Sequence, residues 1–182
     1  MLDTKHKIQQ SFQKQRGAAL ILSLILLLVM TLLALSSTRT ATMEEKMANN
    51  MRDINLAFEA AESGLREAET WIEQQTTDPA RSNGNAFVYK AGALPNLANR
   101  DHAWWTSADH TATYGEAGSS ALEEVHTQPR FVIEHRAFIS DSLVRGYEPP
   151  TGKNIYRAAA RGTGVTDTAQ SITETTFAKR FN

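Results

Sequence analysis

The chain has no cysteine among its 182 residues, which excludes disulfides, thiolate metal sites and thiol nucleophiles together. That absence is neutral on compartment, because a head of about 100 residues packed on a helix can bury enough apolar surface to fold without cross-links. Proline is scarce, and none occurs between Ala18 and Thr77. Glycine is missing between Gly17 and Gly64. The two strongest helix breakers are thus absent from one long stretch. Charge is missing from Gly17 to Thr38. Net charge is only −1, so composition offers no electrostatic footprint for a nucleic-acid partner.

What fills the charge-free stretch is apolar. Ala18–Leu35 is interrupted only by Ser23 and Thr31. As a helix, Gly17–Thr38 spans roughly 33 Å, enough to cross a hydrocarbon core of ~30 Å. A buried soluble helix is the rival, but nothing else in the chain is apolar enough to surround it. Lys5, Lys7, Lys14 and Arg16 against Asp3 give residues 1–17 a net charge of +3, leaving −4 for the rest. Basic flanks stay cytoplasmic, so the remainder is expected to face the periplasm. An ordinary secretory signal would instead be cut near residues 34–42, where Ala34-Leu35-Ser36 and Thr40-Ala41 are candidate sites.

Arg16-Gly17 directly ahead of Ala18-Ala19-Leu20-Ile21-Leu22 resembles a class III, prepilin-type signal. The resemblance implies cleavage after Gly17 and N-methylation of Ala18, so that the apolar run is kept. Members of that family usually carry Glu at mature position five, where this chain has Leu22. That carboxylate is thought to neutralise a neighbouring subunit's terminal amine within the filament core, where an unpaired charge is costly. Its replacement by Leu22 argues against a filament made of this subunit alone and favours a minor, tip-proximal one.

Beyond the membrane run, Met43, Met47, Met51, Ile54, Phe58, Ala61, Leu65, Ala68 and Ile72 recur every three or four residues. That is one apolar stripe on a helix. Glu44, Glu45, Lys46, Arg52, Asp53, Glu59, Glu62, Arg66, Glu67 and Glu69 read as its solvated face. A helix over 18–75 would be roughly 85 Å long. Sheet residues are expected to cover Phe58, Leu65 and Ile72, while the N-terminal half needs other helices as partners. A homodimeric coiled coil is the alternative. The wording Thr42-Met43-Glu44-Glu45-Lys46-Met47-Ala48-Asn49-Asn50, then Leu56-Ala57-Phe58-Glu59-Ala60-Ala61-Glu62, resembles the N-terminal region of PilX-type minor pilins over about residues 15–70.

The organisation that follows is a cytoplasmic leader (1–17), a transmembrane and filament-core helix (18–38), an amphipathic helix (39–75) and a β-rich head with a long loop (76–182). Residues 75–129 are rich in Thr, Ser, Asn, Asp and Gly. Within them Phe87-Val88-Tyr89 reads as a short strand and Ser120-Ala121-Leu122-Glu123 as a capping box opening a brief helix. Trp104-Trp105 reads as an anchor beneath the loop or as a partner contact. Arg130–Ser140 alternates as a strand, with His135 and Phe138 breaking its two faces. Ile155–Val165 and Ser171–Phe181 form a hairpin around Asp167-Thr168-Ala169-Gln170. Ala158, Ala160, Gly162 and Gly164 would let a helix lie close. The fold class is α+β, a long helix on an antiparallel sheet of three to five strands, pilin-like.

Chemistry finds no foothold. Asp101-His102 and Asp109-His110 lack metal-ligand spacing. Glu134-His135 lacks the second His of a helical zinc motif. Gly152-Lys153-Asn154 lies too far from Gly146 for a phosphate loop, and Arg161-Gly162-Thr163-Gly164 reads as strand. No Ser sits in a Gly-x-Ser-x-Gly elbow. Neither enzyme, cofactor nor metal site is expected. The resemblance implies a prepilin peptidase, other minor pilins, a major pilin, an inner-membrane assembly platform and a PilY-type tip adhesin as partners. A type II secretion pseudopilin, a bitopic scaffold and a secreted binding domain are the competing classes.

Overall fold

The structure, a computed structural model, describes residues 16–80, 84–141 and 151–181. Lys5, Lys7, Lys14 and Gly146 lie outside the described residues. The order of elements is α1 (Arg16–Gln74), β1 (Val88–Tyr89), a 3-10 turn (Leu97–Asn99), α2 (His102–Thr106), β2 (Ala112–Thr113), β3 (Arg130–Ser140), β4 (Gly152–Thr163) and β5 (Gln170–Lys179). The architecture is α+β, a long N-terminal helix and a small, mostly antiparallel sheet.

Two compact units divide the chain, one ending at Ala48 and one from Asn49 to Asn182. In the first, every described side chain from Gly17 onward is exposed, including Leu20, Leu22, Leu27 and Leu33. The two hydroxyls of the apolar run are satisfied within the helix. Ser23 donates to the carbonyl of Leu20 at 2.8 Å and Thr31 to that of Leu28 at 2.7 Å. Thr38 and Thr42 donate in the same way. A segment that satisfies its own polar groups can enter lipid without carrying orphaned donors there.

In the second unit the sheet runs β1-β3-β4-β5, with β2 also on β3. The strand at Val88–Tyr89 pairs parallel to β3, so the sheet is mixed at that one edge. β3, β4 and β5 are antiparallel, and a register shift falls between His135 and Ala137. This bulge at Arg136 moves the later residues of β3 to opposite faces. His135 therefore shares a face with Phe131 and Ile133, and so does Phe138, paired with Asn154. The extra residue thus accounts for Phe138, while His135 remains a polar member of the apolar face, partnered there by Asn154.

The helix lies on the sheet through small residues. A Cβ on Gly162 would stand 2.3 Å from both the Ala57 oxygen and the Ala61 nitrogen. One on Gly64 would meet the Ala160 Cβ at 3.0 Å. Ala57, Ala60, Ala61, Ala158 and Ala160 are all buried in this contact. Further along α1 the gap widens and larger side chains fill it. Leu65, Ala68, Trp71 and Ile72 pack with Phe131, Ile133 and Tyr156. Phe87 stands edge-on between Trp71 and Phe131.

Phe58 does not join this core: it is 50% exposed, and Ala57 holds the place against the sheet. The contact is too close for a phenyl ring, so the stripe read in the sequence fails at Phe58 while its later members Ala61, Leu65, Ala68 and Ile72 are buried. Glu67 needs correcting in the opposite sense, being only 2% exposed. Its Oε1 accepts from the backbone nitrogens of Gly115 at 3.0 Å and Ala117 at 2.6 Å, and its Oε2 from the Ser119 hydroxyl.

The loop between helix and sheet is held by such polar side chains. The Arg130 guanidinium donates to the Thr111 hydroxyl and carbonyl and to the Thr113 hydroxyl. Buried Glu134 accepts from Gly92 N at 2.8 Å, where the backbone has φ +76°. The helix expected from Ser120 does not form. Glu124 adopts φ +65°, and the Gln128 side chain bonds both the nitrogen and the carbonyl of Leu122. These bonds hold an irregular turn in which a right-handed helix cannot start.

Candidate assembly surface

The residues that sequence reasoning picked out fall into three environments. Gly17, Ala18 and Leu22 lie on the exposed first turns of α1. A Cβ on Gly17 would meet nothing within 4 Å, so the chain's own packing gives no reason for glycine there.

The helix stripe is the second environment. Leu65 and Ile72 are buried, at 5% and 0% exposure. Met43, Met47, Met51, Ile54 and Phe58 are exposed, each by about half or more. Large apolar side chains left uncovered at helical spacing mark a surface for other proteins. Where helix and sheet come closest, the contact is made by Ala57, Ala60, Ala61 and Gly64 on α1 and by Ala158, Ala160 and Gly162 on β4.

Polar clamps fix where α1 meets the head's far turn. Asp53 Oδ1 accepts from Val165 N at 2.6 Å and Thr166 N at 3.3 Å, and Oδ2 accepts from the Thr166 hydroxyl. The bond from the Thr166 side chain holds the Asp53 carboxyl below its ordinary range. At the other end Lys179 Nζ donates to the carbonyls of Ile72, Glu73 and Gln75 at 2.6–2.7 Å. These carbonyls lie at the C-terminus of α1, where a helix leaves acceptors to be satisfied from outside; that of Ile72 also accepts from Gln75 N at 3.1 Å. Neither clamp was legible in the sequence, since each partner lies more than 100 residues away.

The third environment is the loop layer on the sheet's other face. Trp105 is wholly buried with Leu97, Val132 and Ala159, so it offers nothing to a partner. Trp104 is half-buried, stacked on His110 at 5.3 Å with Arg100 over its ring. The two acid–histidine pairs have structural duties. Asp101 caps α2 by accepting from Trp104 N at 2.9 Å, and His102 Nδ1 lies 3.0 Å from the Arg161 guanidinium. His135 meets Asn154 at 2.9 Å. Among the described residues no group of three or more His, Asp or Glu gathers as metal ligands.

An apolar helix of spanning length and composition, an uncovered apolar stripe and a small helix-on-sheet head fit a single-pass membrane pilin. Residues 16–66 match the family model described as PilX N-terminal, a match that lies wholly within α1. The match supports a PilX-type pilin N-terminal region over those residues, and with it a likeness to the type IV pilus minor pilins, which are structural components of the pilus. No curated protein and no solved structure matches the chain.

Proposed function

We propose that this chain is a minor pilin that helps start type IV pilus polymerisation and resides at or near the filament tip. The observation that carries the reading is the uncovered apolar side of α1, charge-free from Gly17 to Thr38 and continued by Met43, Met47, Met51, Ile54 and Phe58. In the inner membrane, lipid covers the first part. In a filament, helices of other minor pilins and of the major pilin cover both parts. Leu22 supplies no carboxylate for the amine of a preceding subunit, which suits a position with no such subunit to pair. A prepilin peptidase acting at Gly17 and Ala18, an inner-membrane assembly platform and a PilY-type adhesin complete the machinery this reading requires.

The test is intact-mass measurement of membrane-extracted protein. The expected product begins at N-methylated Ala18. Gly17→Leu should accumulate uncleaved in the membrane without function, and normal processing of that variant would refute the assignment. A type II secretion pseudopilin shares the absence of a carboxylate at Leu22. Copurification with pilus components or with secretion components separates the two.

A further inference from the structure

We infer that the free edge of β5 is a docking site for an extended, uncharged strand from another polypeptide, which adds to the sheet next to β5. All ten residues Gln170–Lys179 pair with β4 without a register shift, and among the described residues no strand pairs with the other edge. In an antiparallel strand about every second residue directs its N–H and C=O away from its one neighbour. Such edges are normally guarded by proline, a bulge or free charge. Here there is no proline and no bulge, and Ile172, Thr173, Thr175 and Thr176 are β-branched.

Nor is there free charge. Glu174 is held by Arg157, with Nε to Oε2 at 3.0 Å. Lys179 is spent on the helix carbonyls. Arg180, just beyond the strand, is paired with Asp141 at 2.9 Å. An edge whose charges are all satisfied internally complements a neutral strand, and a charged one would find no partner.

Beside the edge the outward residues Ile172 and Glu174 line a cavity of about 550 Å³ together with Leu94, Pro95, Leu97 and Arg157. Strand addition takes affinity from main-chain bonds and specificity from pockets for alternate side chains. The cavity lies over the face of β4 and β5, and Ile172 and Glu174 are its lining on the edge strand itself. A second copy of this chain is the competing occupant, and the oligomeric state of the chain alone tests it.

The test uses the full chain in detergent micelles and a fluorescein-labelled ten-residue peptide of alternating threonine and valine. Anisotropy should show saturable binding, at least tenfold weaker for Thr176→Lys and for Ile172→Lys, both on the exposed side of the strand. Amide exchange should slow on peptide addition within 170–179. Equal binding of a peptide interrupted by two prolines, unchanged binding by both variants, or protection elsewhere would overturn the inference. So would a dimer of the chain alone that Thr176→Lys dissolves, which would assign the edge to a second copy. Mature N-terminus analysis is independent, so failure here and failure of the pilin reading are separable.

Discussion

Gly162→Ala is the sharpest perturbation of the helix–sheet contact. The added methyl would lie 2.3 Å from the Ala57 oxygen, 2.3 Å from the Ala61 nitrogen and 2.9 Å from the Ala60 carbonyl carbon. All three are backbone atoms inside a helix, so no rotamer change relieves the clash. Restoring ordinary contact means lifting α1 off the sheet by about 1 Å over Ala57–Ala61, at an overpacking cost of roughly 1–3 kcal/mol. At about 2–4 °C per kcal/mol for a chain of this size, the melting temperature should fall by about 2–12 °C. Tryptophan fluorescence of the detergent-solubilised chain reads this directly, since Trp71 on α1 and Trp105 beneath the loop are both buried. Gly84→Ala is the control, because its Cβ would meet nothing within 4 Å. If Gly162→Ala melts with Gly84→Ala, the close contact described here is wrong.

Glu67→Ala should cost about 1–3 kcal/mol by stranding the nitrogens of Gly115 and Ala117, and limited proteolysis should then cut the 115–119 turn faster. Asp53→Asn tests the pH dependence of the far clamp. Because the folded carboxyl titrates below its ordinary 3.8, its stabilisation is complete above that value and is lost as pH falls through the depressed one. The difference between wild type and variant in acid denaturation should therefore shrink below about pH 4, and a constant difference would remove the carboxylate from the account. Phe58→Ser should leave head melting within about 0.5 kcal/mol, since the ring is half exposed, while lowering recovery of the subunit in sheared filaments.

Most of the architecture was legible because it depends on local pattern. A stretch without proline or glycine between Gly17 and Gly64 became one helix, α1. The alternation of Arg130–Ser140 became β3 over those same residues. The small-residue run Ala158–Gly164 marked the helix contact from the sheet side. On the helix side, spacing alone puts Phe58 on the stripe, but the close contact is made by Ala57 and Ala60, whose small size apolar periodicity does not weigh. Phe138 disclosed the bulge at Arg136, but alternation alone cannot distinguish an extra residue from a misfit. Glu67 read as solvated because a lone helical carboxylate usually is; its partners are 48–52 residues away on a turn. The candidate site divides similarly. Composition reveals the apolar run and its flanks, whereas the unguarded β5 edge depends on which strand ends the sheet, and sequence does not order strands.

Two demands meet on α1, and its side chains are sorted accordingly. Against the sheet it uses Ala57, Ala60, Ala61 and Gly64, whose small volumes bring backbones together and leave little apolar surface to expose elsewhere. Among its exposed side chains are Met43, Met47, Met51, Ile54 and Phe58, mostly unbranched or planar chains that adapt to differing neighbours. Methionine at three of those five positions suits a surface that must pack against several kinds of helix. Ser23 and Thr31, which could have donated to a fixed partner, donate instead to Leu20 and Leu28 of their own helix. Within the apolar run α1 is thus complete in its own hydrogen bonding and uncommitted in its packing. A helix of that kind can leave lipid for a bundle of unlike helices without breaking any bond of its own, which is the physical requirement for a subunit stored in a membrane and built into a filament.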